Sequence, residues 1–258
     1  MPEPARAAPV AWRSIRTPPL PGAENMALDV ALARCRRPGE AVLRIYGWSR
    51  PTLSFGRNQP AAERYRETVA VLFGGNAVRR PTGGREVLHD RELTFAAIVP
   101  ARGFGGPRAI HRRLGEALLE AVRSLGADAD LAGGGRRVPR PEEGEACFGR
   151  SVENEIEAGG RKLIGSAQAR LGGSVLEHGS IPLARATVGP ASLREAGSSL
   201  SDEVGRAVSF PSVAAAVETA MIRSLGGRWR RSSPTDTERR TAASLVPRFA
   251  SAAWTWRL

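Results

Sequence analysis

Glycine and proline punctuate this sequence so densely, 29 and 19 times in 258 residues, that the chain can fold only from short elements joined by many turns. Between the breaks, apolar residues follow two periods. Residues 24–37 place Leu28, Leu32 and Cys35 on one helical face, closed by Pro38-Gly39. Residues 41–46 alternate as a strand, and 51–56 follow as a second. A weak helical stretch is expected at 61–66 and a short apolar run at 69–73. Residues 86–89 begin a strand expected to pair with 93–99, and 110–125 carry a helical stripe of Leu114, Leu118, Val122 and Leu125. Three sheet segments are expected at 152–156, 162–170 and 174–182, and helices at 213–225 and 237–245, with a polar, irregular stretch at 190–211. Helices and strands mix without strict alternation, which points to an α+β fold.

The length suits one large domain rather than two independent ones. Residues 1–20 read as an irregular leader and 21–258 as a single domain. Within it, 126–144 has little to bury and is expected to be a mobile loop, and 211–248 forms a helical C-terminal part. No internal repeat is found.

Two cysteines are too few for a disulfide framework, so free thiols in a reducing, cytoplasmic compartment are expected. The first twenty residues lack the apolar run of a signal peptide, and their prolines suit an amphipathic targeting helix poorly. No window approaches a membrane span. The formal charge of +12 favours encounter with an acidic partner, whether nucleic acid, membrane or protein. The arginines are scattered, however, and neither a zinc-finger cysteine pattern nor a basic run with interleaved aromatics accompanies them. Nucleic acid and membrane are therefore not expected as partners, and arginine on a solvated face explains part of the charge.

Three places could carry chemistry. In the first, Arg79-Arg80-Pro81-Thr82-Gly83-Gly84-Arg85 precedes His89-Asp90. Paired glycines let a backbone approach a ligand, and flanking arginines can hold anionic oxygens. The same residues also describe a plain glycine turn with solvated arginines. The second is Cys147, at the end of the loop and the start of the sheet segments. A lone cysteine there is either a small buried hydrophobe or a nucleophile carried at a loop end. Cys35, on an apolar helix face, reads as packing. In the third, an extended 161–168 would put Lys162, Ile164, Ser166 and Gln168 on one face, either a functional surface or an ordinary exposed strand. His178 has no cysteine or histidine partner at metal-ligand spacing, so no metal site is expected.

Taken together, WSRPTLSFGRNQ (48–59), RRPTGGREVLHDRELTF (79–95), ACF (146–148), GRKLIGSAQAR (160–170) and LEHGSIPL (176–183) resemble the lipoate–protein ligase and octanoyltransferase superfamily, related to biotin–protein ligases. The motifs keep the family's order across 24–183. The resemblance implies an α+β catalytic domain around a mixed, curved sheet flanked by helices. Cys147 in ACF, and HDRELTF rather than an HDxGN sequence, look like the cysteine-dependent octanoyl-carrier-protein:protein octanoyltransferases.

For that group the resemblance implies catalytic Cys147 and Lys162. It also implies a substrate-binding set of Arg80, Gly83, Gly84, Leu88, His89, Ile164, Gly165, Ser166, Ala167, His178 and Gly179. Leu88 and Ile164 are expected as walls of the acyl pocket. The implied donor is acyl carrier protein, and the acceptor a lipoyl domain or the glycine-cleavage H protein, with no cofactor required. The sequence departs from the family after the cysteine: where PS commonly stands it reads GRSVENEI, with Arg150 at the proline position. Two other activities share most of these motifs: ATP-dependent lipoate ligation, and acyl transfer between lipoyl domains.

Overall fold

The computed structural model describes residues 10–132 and 155–257. In chain order its elements are β1 (Ala11–Arg16), α1 (Gly22–Cys35), β2 (Glu40–Tyr46), β3 (Thr52–Phe55), α2 (Ala62–Leu72), β4 (Ala77–Arg79), β5 (Val87–His89), β6 (Glu92–Pro100), α3 (Pro107–Ser124), β7 (Ala129–Leu131), β8 (Ile156–Ala158), β9 (Arg161–Leu171), β10 (Ser174–Pro182), α4 (Ala191–Arg194), α5 (Leu200–Val204), α6 (Phe210–Leu225), β11 (Arg228–Ser232), α7 (Asp236–Ala250) and α8 (Ala252–Thr255). The large sheet has eight strands in the order β11-β1-β2-β6-β10-β9-β8-β7, and a smaller one the order β4-β3-β5. In the large sheet β1 runs parallel to both β11 and β2, and every pairing from β2 onward is antiparallel. This is the mixed-sheet α+β architecture expected.

Strand alternation sends residues to two faces. On one face Trp12, Leu43, Ile45, Phe95 and Ala97 pack beneath α3 and α6, which contribute Leu114, Leu118, Val213 and Met221. On the other, Val42, Tyr46, Ala96, Ile98 and Leu176 meet Leu28 and Leu32 of α1. α1 is itself covered by Leu245 and Phe249 of α7. A helix clasped from both sides is buried nearly all round, and residues 25–33 of α1 are all buried, Asn25 and Asp29 included. The single apolar face at Leu28, Leu32 and Cys35 understates this.

Several expectations change. Residues 11–16, part of the expected irregular leader, form β1, because Glu238 receives Arg13 Nη1 and Nη2 at 2.6 and 2.9 Å. That pairing lets an arginine lie inside a sheet. The stretches at 61–66 and 69–73 join as α2. Residues 86–89 do not pair with β6, whose two edges are taken by β2 and β10; they pair with β3 instead. Within the expected loop 126–144, residues 129–131 form β7, and 133–144 lie outside the described residues. Of the segment 152–156, only Glu155 and Ile156 are described. The irregular 190–211 contains α4 and α5.

Candidate active site

Lys162 is the second residue of β9, and the strand is irregular just beyond it. Ile156 pairs with Ile164 but Glu157 with Lys162, so β9 carries one extra residue, Leu163, against β8. Such a bulge re-aims the side chains beside it. Lys162 consequently leaves the face it would share with Ile164 and lies across Gly165. A β-carbon added to Gly165 would stand 2.6 Å from Lys162 Cε and 2.9 Å from Nζ. Glycine at 165 makes room for the lysine.

Lys162 Nζ donates to Glu155 Oε1 at 2.6 Å, and both residues are buried. Ile164, by contrast, enters the main core under α3 and α6. Ser166 and Gln168 follow it to that face, where both donate to Glu177, which also meets His111 of α3. The expected common face of Lys162, Ile164, Ser166 and Gln168 is thus split by one extra residue. Ile164 and Ser166 lie on the opposite side of the sheet from Lys162.

The face that carries Lys162 also holds Gly165, Ala167 and, on the adjoining strand, His178, the register partner of Ala167. Gly179 follows His178 where a β-carbon would strike the Gly165 carbonyl and the Phe95 ring, at 2.6 and 2.7 Å. His178 Nε2 lies 2.6 Å from Thr82 Oγ1, joining β10 to the glycine turn, and Nδ1 lies 3.4 Å from Asp29 Oδ2. Behind Asp29 stand Arg44, whose Nη1 donates to Oδ1 at 2.7 Å, and Tyr46, whose hydroxyl donates to Oδ2 at 2.8 Å. Burial above all, and the positive charge of Arg80, lower the His178 pKa, outweighing the pull of Asp29. Burial would raise the Asp29 carboxyl, but Arg44 and His178 hold it below its ordinary value. A neutral His178 therefore donates from Nδ1 to Asp29 and accepts the Thr82 hydroxyl at Nε2, a tautomer fixed by its partners.

The glycine turn is clamped from within. Arg80 Nη1 donates to the Ser54 carbonyl and hydroxyl at 2.9 and 2.7 Å, and Nη2 to the carbonyls of Gly83 and Arg85 at 3.0 and 2.8 Å. Arg79 reaches the carbonyls of Gly56 and Gln59, and those of Trp254, Thr255 and Arg257 near the C-terminus. Both arginines are buried, not solvated. Gly84 packs so closely on Gly56 that a β-carbon there would fall 1.7 Å from the Gly84 carbonyl oxygen, whereas Gly83 faces open space.

His89 lies behind the turn, bonded to Ser54 Oγ at 2.6 Å and Glu92 Oε1 at 2.7 Å and stacked on Trp48 at 3.9 Å. Glu92 also accepts the Ser180 hydroxyl, and Ser180 is the register partner of Gly165. Leu88 is half-buried against Leu53, Phe55 and Phe73. It also lines a cleft with Asp90, Arg185 and Ser198, and the Ser198 amide donates to the Lys162 carbonyl at 2.8 Å.

Cys147 lies outside the described residues. Three residues absent from the expected set take part in the constellation: Glu155, Asp29 and Thr82. A carboxylate interrupting the apolar run NMALDVAL was the available signal for Asp29. Among the described residues no group of three or more His, Cys, Asp or Glu could hold a metal ion, and no helix is long and apolar enough to cross a membrane.

Residues 21–222 match the family described as the lipoyl protein ligase A/B catalytic domain. The chain belongs to that family. Among its lipoyl ligase A/B relatives, the octanoyltransferase LipM of Kyrpidia tusciae is 35% identical over 274 residues, covering 95% of this chain and 98% of its own. The octanoyltransferase LipM of Symbiobacterium thermophilum is 35% identical over 258 residues, covering 91% and 94%. A lipoate-protein ligase A bound with ATP superposes with a TM-score of 0.77 at 23% identity, over 96% of this chain and 99% of its own. A bipartite lipoate protein ligase from Thermoplasma acidophilum gives 0.72 at 21%, over 97% of each. At these identities the two structures speak to the fold alone. The protein is thus an enzyme of the lipoyl ligase–octanoyltransferase family.

Proposed function

We propose that this enzyme transfers an octanoyl group from acyl carrier protein to a lysine of a lipoyl domain or the glycine-cleavage H protein, in the cytoplasm, through a thioester on Cys147. Octanoyl transfer rests on the kinship with octanoyltransferases along nearly the whole chain. The observation that carries the catalytic assignment is the placement of Lys162, fixed by Glu155 over Gly165 on the face that holds His178 and the glycine turn.

In this reading the Cys147 sulfur attacks the carbonyl carbon of the octanoyl-carrier thioester. The bond to the carrier sulfur breaks, and the carrier leaves as a free thiol. The target lysine amine then attacks the acyl-Cys147 carbonyl. An amide C–N bond forms, the Cys147 C–S bond breaks, and the amine proton passes to the departing sulfur. The Lys162 ammonium favours the Cys147 thiolate and donates to the carbonyl oxygen as negative charge develops there, a contribution on the order of 100-fold or more in kcat. Gly83, open above its α-carbon, lets the acyl carbonyl approach the turn.

The test is intact-protein mass after mixing with octanoyl-acyl carrier protein, without ATP, beside Cys147→Ala. A hydroxylamine-labile octanoyl adduct on the wild type alone is expected. Lipoyl-domain modification that appears only with free octanoate or lipoate plus ATP would make the enzyme a ligase. An adduct formed only from an octanoylated lipoyl domain would make it an amidotransferase.

A further inference from the structure

Several exposed arginines lean on a nearby carboxylate: Arg231 on Glu218, Arg223 on Glu120, Arg239 on Asp236. Exposed Arg57, Arg66 and Arg248 and half-buried Arg257 make no ion pair among the described residues, as is true of other arginines such as Arg102 and Arg108, but these four lie close together. Three of them, Arg66, Arg248 and Arg257, lie against two indoles, and Arg57 joins them through its carbonyl. The guanidinium carbons of Arg248 and Arg257 each lie 3.9 Å from the Trp254 ring centroid, and Arg66 lies 5.1 Å from that of Trp256.

Two guanidinium groups at that distance must take opposite faces of one indole. Arg257 Nη2 donates to the Arg57 carbonyl at 2.8 Å, while its Nε is buried without a hydrogen-bond partner. Burial and the nearby charges of Arg57 and Arg248 push the Arg257 pKa down, as expected where cations lie side by side. The cluster adjoins the glycine turn, because the Arg57 amide donates to the Thr82 carbonyl at 2.8 Å.

We propose that Arg57, Arg66, Arg248 and Arg257, backed by Trp254 and Trp256, form the docking surface for the acidic face of the carrier protein that delivers the acyl group. The proposal rests on the octanoyl-transfer reading above. Stacking on an indole fixes the plane of a guanidinium, and N–H edges not spent on the protein itself, as Arg257 Nη2 is, can then grip carboxylates in pairs. Like charges clustered at a rim also steer an oppositely charged partner toward the mouth they surround. Single-stranded nucleic acid suits the site less well: both faces of Trp254 are already covered, which leaves no platform there on which a base could stack.

The test compares wild type with Arg66→Glu and with Arg66→Glu/Arg248→Glu, using octanoyl-acyl carrier protein and the small thioester octanoyl-pantetheine as donors. Expected is a KM for the carrier raised about tenfold or more in the double variant, with kcat within about twofold. Octanoyl-pantetheine kinetics should match wild type, and Arg66→Glu alone should fall between. An unchanged carrier KM, or equal losses with both donors, overturns the docking surface while leaving the acyl-transfer reading intact. A wild type that accepts neither donor overturns both. A 20-nucleotide single strand that binds wild type more tightly than the carrier does, and is lost in the variants, makes this a nucleic-acid surface and overturns the proposal.

Discussion

Lys162 and Glu155 meet at 2.6 Å with side chains only 2% and 4% exposed, a charge pair enclosed where the acyl carbonyl is proposed to react. Removing one member of a buried pair costs about 3–5 kcal/mol, because the other charge stays desolvated. Glu155→Ala is expected to lower the melting temperature and to reduce kcat/KM by more than about tenfold. Glu155→Gln, which keeps an acceptor oxygen, should recover part of both. Calorimetry beside steady-state kinetics checks this, and a Glu155→Ala enzyme with wild-type kcat/KM would refute the positioning role.

Gly165→Ala places a methyl carbon 2.6 Å from Lys162 Cε. Crowding of this kind costs about 1–3 kcal/mol, and here the most mobile neighbour is the lysine itself. The variant should therefore lose more in kcat than in stability, with KM for the donor little changed. A Gly165→Ala protein that is destabilised but turns over normally would show that Lys162 can shift without harm.

His178 predicts a specific acid sensitivity. The fold holds its pKa below the ordinary 6.5, so the unfolded chain takes up the proton first as pH falls. The stability is complete above about pH 6.5 and is lost as acid lowers the pH toward the folded value. Asp29 and Glu92 are also depressed, but from ordinary values of 3.8 and 4.5, so their contributions survive to lower pH. Melting temperatures between pH 7.5 and 5 should fall for wild type and fall less for His178→Gln. Parallel curves would exclude His178 as the cause.

Much of this was legible in the sequence. Apolar periodicity located β2, β3, α3, β9, β10 and α6 to within a few residues, since α3 and α6 bury a helical stripe and the strands are rich in buried apolar residues. It missed β1 and β11, because Arg13 looks solvent-bound until Glu238 and Glu40 are brought beside it, and because β11 keeps its arginines at the surface. Within the candidate site, motif order singled out Lys162, Gly165 and His178. Strand alternation misplaced Lys162 beside Ile164, because a one-residue bulge leaves no mark in a hydrophobic pattern. Glu155 was overlooked because it stands seven positions and a hairpin turn away from the lysine it binds. The arginines of the glycine turn looked like ligands for an anion; their described bonds tie down backbone carbonyls and, from Arg80, the Ser54 hydroxyl as well.

Salt offers an independent check on the role of charge. If the net +12 steers an acidic carrier to the enzyme, raising ionic strength from about 0.01 to 0.15 M shortens the screening length from roughly 30 to 8 Å. It should then lower kcat/KM well before kcat. Equal decline of the two would count against steering.

β11 carries one more consequence, for the fate of the chain before folding is complete. β1 leaves the ribosome early, but the strand that covers its outer edge follows much later: Arg13 and its bonding partner Ser232 are 219 positions apart. Until then β1 presents unpaired amides beside Trp12 and Ile15, a template for the wrong strand. Once β11 docks, the border it offers to neighbouring molecules is lined with arginine, Arg230 at 63% and Arg231 at 84% exposure. Part of the basic excess that suggests a binding surface thus has a second effect, that of keeping finished molecules from adding to one another edge to edge.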